Sequence, residues 1–388
     1  MTRQFEKWGI YHMSMNPAYK PLFESFTFKN GTMLKNRIVM APMTNFASND
    51  DGTVSESELA YYARRAKGAG MVVTACIYVS PNGQGFPGEF SGASDEMIPG
   101  LARLASTIKQ NGAKAILQIF HGGRECPPEL VPNQDVVSAS NVQSKQRGKA
   151  VPRALRDEEI ETIISDFGET TRRAIEAGFD GVEIHGANGY LLQQFYSPGS
   201  NIREDRWGGS LEKRLVFPLA VVDEVKRVAA EHADGKFLIG YRFSPEEETE
   251  PGLTMKETFR LLDALSDKEL DYLHVSLNDF RSKPRRGADE SRTRLEWIQE
   301  RVGAQVPVIG VGAVLTPEDA VEAAQTGVPL VAIGRELIME PDWVEKVASG
   351  KQSTLRTTIQ RTDQEKLVVP TPLWQAIVHS PGWFPVGD

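Results

Sequence analysis

Polar side chains recur at the ends of short apolar runs. Thr44 follows the run beginning at Arg37, Gln118 stands inside LQIFHGGR (Leu117 to Arg124), His185 closes GVEIH from Gly181, and Arg242 lies in IGYRFS from Ile239 to Ser244. Gly310 and Gly312 mark the end of a seventh run, and Gly334 and Arg335 follow an eighth. Glycine corners followed by an arginine suit a phosphate: backbone N–H groups approach its oxygens closely, and the guanidinium adds a bidentate charge. Tight turns alone would also account for the glycines. A phosphate held there could belong to a substrate or serve as the handle of a cofactor. No run ends in lysine, which argues against Schiff-base chemistry. The two cysteines, Cys76 and Cys126, are too few for a structural zinc site or an iron–sulfur cluster. No second histidine lies near His185, and Asn188 is a poor transition-metal ligand, so no metal is expected.

Eight such runs, at 37–41, 71–78, 115–120, 181–185, 238–243, 272–275, 306–311 and 330–333, alternate with amphipathic stretches at 56–67, 97–110, 157–177, 211–230, 255–265, 292–302 and 317–325. Several runs are apolar throughout, as parallel strands covered on both faces require. Thr316 before Pro317 reads as an N-cap, Gly327 as a helix stop, and Gly70 and Gly178 as stops of the same kind. The pattern predicts an α/β fold, a single (β/α)8 TIM barrel whose active site lies at the C-terminal strand ends. A doubly wound dinucleotide fold would call for an early G-x-G-x-x-G after a strand, and the chain has none. One barrel domain is expected over residues 1–350, with its core at about 37–350 behind an N-terminal extension. The 351–388 tail carries Trp374, Trp383 and Phe384, too aromatic for a free linker, and is expected to pack on the barrel.

The 388 residues carry 44 Lys+Arg against 52 Asp+Glu, a formal charge of −8 that offers nucleic acid and anionic membranes no general attraction. No apolar run approaches the roughly 18 residues of a membrane helix, and the charged, aromatic first 15 residues lack a signal-peptide core. Sparse cysteine fits a reducing compartment, so the expectation is a cytoplasmic protein. Its partner is expected to be a small molecule, and a homo-oligomer is compatible with everything read so far.

Five segments in register resemble the Old Yellow Enzyme family of FMN-dependent ene-reductases and NADH:flavin oxidoreductases. They are NRIVMAPMT from Asn36 to Thr44, the Gln118 segment, IHGANGYLLQQF from Ile184 to Phe195, SPGSNIREDRWGGS from Ser197 to Ser210, and Ile333-Gly-Arg335. The likeness covers roughly residues 20–345. It implies FMN as cofactor and NADH or NADPH as hydride donor. Pro42, Met43 and Thr44 would lie against the isoalloxazine, and Cys76 beside it, unless Cys76 is only a small buried hydrophobe. Gln118 would meet the pyrimidine edge, or else be a satisfied interior amide. Arg242 would face the locus where reduced flavin gathers negative charge, with Glu183 as its alternative partner. Val311, Gly312, Ala313, Gly334 and Arg335 would hold the phosphate.

The same resemblance implies that His185 and Asn188 donate two hydrogen bonds to one acceptor oxygen, while Tyr190 delivers a proton, its phenol being protonated at neutral pH. Phe46 would border the substrate, where some relatives offer a tyrosine. Trp207 stands where the family has tyrosine, and reads as packing. The acidic stretch 246–250 and the basic stretch 281–286 match no family pattern and read as solvated or steering loops. The activity implied is reduction of an activated C=C bond in an enone or nitroalkene. The alternatives are an NADH:flavin or quinone oxidoreductase or oxidase, a non-redox phosphate-binding lyase or isomerase, and an FMN carrier without turnover.

Overall fold

The structure, a computed structural model, describes residues 15–146 and 148–387; the expected N-terminal extension falls outside the described residues as far as residue 14. Eight parallel strands close into a barrel in chain order: β1 (Ile38–Met40), β2 (Met71–Tyr78), β3 (Lys114–Phe120), β4 (Gly181–Gly186), β5 (Leu238–Phe243), β6 (Tyr272–Val275), β7 (Val308–Val311) and β8 (Leu330–Ile333). Closure is made by β8 on β1, with Ile333 opposite Met40. The strands are buried almost throughout, which explains why they read as continuous apolar runs.

Around the barrel run α1 (Glu56–Arg65), α2 (Ile98–Gln110), α3 (Asp157–Glu176), α4 (Val216–His232), α5 (Met255–Ser266), α6 (Arg294–Val302), α7 (Pro317–Gln325) and α8 (Trp343–Ala348). Capping boxes start α1 (Ser55, Glu58), α5 (Thr254, Glu257), α6 (Thr293, Glu296) and α7 (Thr316, Asp319). Each supplies oxygens to amides that have no partner inside the helix. Gly178 and Gly327 follow α3 and α7 at φ +82° and +97°, as expected of helix stops. Gly70 is not one. Helix α1 has already ended at Arg65, and Gly70 is pressed against the Asn36 carbonyl where a Cβ would not fit. Gly310 also corrects the sequence reading: it lies inside β7 opposite Val331, packed on Leu295, and makes no turn.

The bottom of the barrel is plugged. An antiparallel hairpin, Phe26–Thr27 with Met33–Leu34, sets Phe28 and Leu34 against Val39, Met71, Val73, Ile116, Tyr272 and Leu330. The tail packs on the outside, as expected. Its strand Ile359–Gln360 pairs with Val386–Gly387, and Arg65 of α1 donates to the carbonyls of Leu367 (2.7 Å) and Val368 (3.2 Å). Arg65 is itself buried and stacks on Tyr61 at 3.9 Å.

Burial holds His121 and His185 neutral, with pKa values pushed down to about 3, and lowers His274 as well. It pushes Asp166, Glu58 and Glu336 up, to about 6, 7 and 8. The histidines cost stability as pH falls below their unfolded value near 6.5, whereas the acids add stability as pH falls toward about 4.5. The two sets therefore oppose each other between about pH 4.5 and 6.5, and below that the histidine loss is joined by that of the ion-paired carboxyls held low, Glu159 among them. Urea midpoints should stay nearly level across that window and then drop steeply, by about 1.4 kcal/mol per pH unit for each histidine. A loss as steep between pH 6.5 and 5.5 would contradict this balance.

Candidate active site

The C-terminal strand ends open into a cavity of about 550 Å³ whose walls include Pro42, Met43, Asn188, Arg242, Val311, Gly312, Ala313, Gly334, Arg335 and Trp383. Strand register places the deeper groups. A shift between Val73 and Cys76 sets Cys76 opposite Gln118; beyond it Gln118 faces Glu183, His185 faces Arg242, and Arg242 faces His274. Such a bulge re-aims a strand end.

Arg242 is the electrostatic centre of the cavity. Its side chain makes no hydrogen bond or ion pair with a described residue, and its buried Nε has no partner. Burial lowers its pKa, against the pull of the Glu183 charge. Glu183 does not pair with it directly. One Glu183 oxygen accepts from Gln118 Nε2 at 2.7 Å, and the other meets His274 Nδ1 at 2.9 Å. Burial alone would raise the Glu183 carboxyl, but His274, Arg242 and Gln118 together hold it below its usual value. The neutral His274 therefore donates to an ionised Glu183, whose field offsets the Arg242 charge at longer range. Gln118 is thus tied to Glu183 through its amide nitrogen, and among described residues nothing donates to its carbonyl.

At the end of β4 the chain turns sharply, with Asn188 at φ +59° and Gly189 at φ +79°. The Ala187 N–H donates to His185 Nδ1 at 3.3 Å. The ring is neutral, so its proton sits on Nε2. Asn188 is aimed by two serines: its Oδ1 accepts from Ser276 Oγ at 2.8 Å and from Ser244 Oγ at 3.4 Å, which turns its Nδ2 donor outward. The Tyr190 ring packs edge-on to His185, Phe120 and Phe86, with centroids 5.1, 4.9 and 6.0 Å away. Phe86 also meets Phe46, which adopts φ +56°. Burial raises the Tyr190 pKa well above 10. Thr44 is half-buried, and no described residue hydrogen-bonds its hydroxyl.

At the glycine corners, Gly312 adopts φ +122°, and a Cβ there would come within 2.7 Å of the Leu277 carbonyl. Only glycine lets the β7 turn lie against the loop after β6. Arg335 opens the short helix Arg335–Met339 and donates Nη1 to the Trp383 carbonyl at 2.9 Å, so the tail forms part of the cavity wall.

The two charged stretches prove to be partners of each other. Glu246 is buried, accepts from the backbone N–H groups of Arg285 (2.9 Å) and Arg286 (2.8 Å), and pairs with Arg294. Arg286 donates to the carbonyls of Glu247 and Thr249, and Arg285 reaches Glu248 at 2.6 Å. The zipper buries Glu246 two residues after Ser244, while Glu248 and Glu250 stay largely solvated, as read. Trp207 is buried as expected, and its indole also donates to Asp157.

Sequence reasoning missed Ser244, Ser276, Phe86, Phe120, Glu89 and Trp383. The serines stand at strand ends, so the criterion that selected Arg242 could have found them. The other four carry no such mark. Among the described residues no group of three or more His, Cys, Asp or Glu could hold a metal, and no helix is long and apolar enough to cross a membrane.

A family model for NADH:flavin oxidoreductases / NADH oxidases matches residues 21–354. The chain is 60% identical over 374 residues to the probable NADH-dependent flavin oxidoreductase YqiG of Bacillus subtilis, covering 96% of this chain and 100% of that one. It is 44% identical to the NADH:fumarate oxidoreductase of Klebsiella pneumoniae over 91% of this chain, but spans only 38% of that protein. Among solved structures, morphinone reductase in complex with tetrahydroNAD superposes with a TM-score of 0.76 at 26% identity, covering 95% of this chain and 98% of that one. These likenesses lend the non-redox lyase or isomerase alternative no support. The chain belongs to the NADH:flavin oxidoreductase / NADH oxidase family, among the Old Yellow Enzyme homologues, with FMN as its cofactor and NADH or NADPH as its hydride donor.

Proposed function

We propose that this enzyme reduces an alkene activated by a conjugated carbonyl, carboxyl or nitro group. The observation that carries the reading is the pair of oriented donors, His185 Nε2–H and Asn188 Nδ2–H, beside a protonated Tyr190. Two donors on one acceptor oxygen draw electron density out of the conjugated bond, leaving its β-carbon open to hydride. Tyr190 then supplies the proton to the α-carbon. A relative named for fumarate, itself an alkene conjugated to carboxyl groups, supports this class of acceptor.

The residues present fit FMN. A buried guanidinium without a direct partner, facing a cavity of about 550 Å³, suits the electron-rich edge of a flavin, and the glycine corners with Arg335 suit its phosphate. When bound, FMN carries hydride from the nicotinamide to the acceptor. Pro42 and Met43 would form the floor under the ring, and the Thr44 hydroxyl, Cys76 and the free Gln118 carbonyl would meet its polar edge. Val311, Gly312 and Ala313 would complete the phosphate corner. Phe46 would border the substrate.

Anaerobic rapid mixing tests the reading. NADH or NADPH should bleach the flavin, and enones, nitroalkenes or unsaturated carboxylates should restore its colour; reoxidation by oxygen or free flavin alone would favour an oxidase instead. Arg242→Met should weaken FMN binding to the apoprotein by about 10–100-fold, the worth of hydrogen bonds to a charged group. Titration of apoprotein by flavin fluorescence reads this, and unchanged affinity would remove Arg242 from the flavin edge.

A further inference from the structure

The tail bounds a second cavity, of about 420 Å³, against the start of α7 and the short helix Arg335–Met339. Met339, Leu355, Trp383 and Pro385 give it apolar walls, and Arg335 and Trp383 border both this cavity and that of the flavin. Glu336 opens onto it. This residue is 3% exposed, no described residue hydrogen-bonds its carboxyl or pairs with it, and neither oxygen is sealed off from the cavity.

The other buried glutamates among the described residues are all engaged. Glu58 accepts from the Ser55 N–H at 3.2 Å, Glu183 from Gln118, and Glu89, beside Cys76, from the Gly85 and Phe86 N–H groups at 2.8 and 3.3 Å. Glu125 and Glu246 pair with Lys149 and Arg294. The charged groups that act on Glu336 are Glu340, Arg356 and Asp319, and each is committed elsewhere. Glu340 holds Lys346 at 2.6 Å, Asp319 holds Arg281 at 2.5 Å, and Arg356 donates Nη1 to the Met339 carbonyl at 2.6 Å. On the cavity wall, Arg335 donates to the Trp383 carbonyl, and Glu318 accepts from the Tyr19 hydroxyl. Burial, then the Glu340 charge, push the Glu336 carboxyl up to about 8, so it keeps its proton at neutral pH. Gln352, which also borders the cavity, has a carbonyl oxygen without a donor.

We infer that this cavity is a second small-molecule site, for a primary amine on an apolar body whose ammonium group lies against Glu336. The apolar walls take the body and remove it from water. An ammonium group brings N–H donors and no acceptor, which is what a wall of unfilled acceptors lacks. An anion would meet Glu336 and Glu318 with like charge. As the ammonium arrives, Glu336 gives up its proton to solvent, because a cation beside a carboxyl favours its charged form. The site takes no part in the alkene reduction.

Calorimetric titration of the FMN-loaded enzyme with 4-phenylbutylamine tests this, with 4-phenyl-1-butanol as the uncharged control. At pH 8.5 the amine should bind one to one, at least tenfold more tightly than the alcohol. Its affinity should fall at least tenfold between pH 8.5 and 6.5, since below about pH 8 the proton on Glu336 competes with the ammonium, which itself stays charged throughout. Glu336→Gln keeps the shape of the side chain and removes its charge. It should weaken amine binding at least tenfold at pH 8.5 and erase the pH dependence. Thr357→Trp, at an exposed position on the wall, should fill the cavity and abolish binding. Neither residue lines the flavin cavity, so both variants are titrated as holoprotein. Equal affinity for amine and alcohol, no binding at millimolar amine, or an affinity unchanged in either variant overturns the proposal.

Discussion

Replacing His185 and Asn188 together by alanine should lower kcat/KM for alkene reduction by about 10³-fold or more, since removing a single oxyanion donor already costs about 10²–10³. Both side chains arrive preset. The His185 ring is locked by the Ala187 N–H at 3.3 Å, and the Asn188 amide by Ser276 at 2.8 Å, so neither must reorganise as charge builds on the acceptor. Burial holds the imidazole pKa near 3, and so the donor has one protonation state from pH 5 to 9 and should impose no pH limb there. A phenol added to wild-type holoprotein should give a long-wavelength charge-transfer band as its oxygen is gripped over the flavin, and the double variant should lose it. Retention of the band, or a fall of less than tenfold in kcat/KM, would place the activating donors elsewhere.

Tyr190→Phe should slow alkene reduction by about 10²–10⁴-fold while leaving flavin reduction by the nicotinamide nearly intact. Phenylalanine preserves the edge-on contacts with Phe120 at 4.9 Å and His185 at 5.1 Å, so the substitution removes a hydroxyl and little else. Because burial raises the phenol pKa further, the donor stays loaded across the working range. Separate measurement of the two half-reactions decides the matter, and equal losses in both would refute the assignment.

All eight strands were legible because each is buried on both faces and each is followed by a helix, several of them opened by a capping box. The 211–230 stretch breaks into Leu211–Arg214 and Val216–His232, a division hidden by its continuous apolar pattern. The helix Leu191–Tyr196 escaped because all six residues are buried and no polar face marks its period. Gly70 misled because a glycine demanded by a close backbone approach looks, in sequence, like one demanded by a left-handed turn. The Glu246 zipper joins segments about 40 residues apart, and local charge alone cannot name a distant partner. Glu89 was invisible for the same kind of reason. An acid among glycines and phenylalanines reads as exposed loop, and only the fold reveals that it is buried.

The stopper formed by Phe28 and Leu34 makes the barrel a vessel with one opening. A small molecule that enters at the rim must leave by it as well, past the loops that follow the strands.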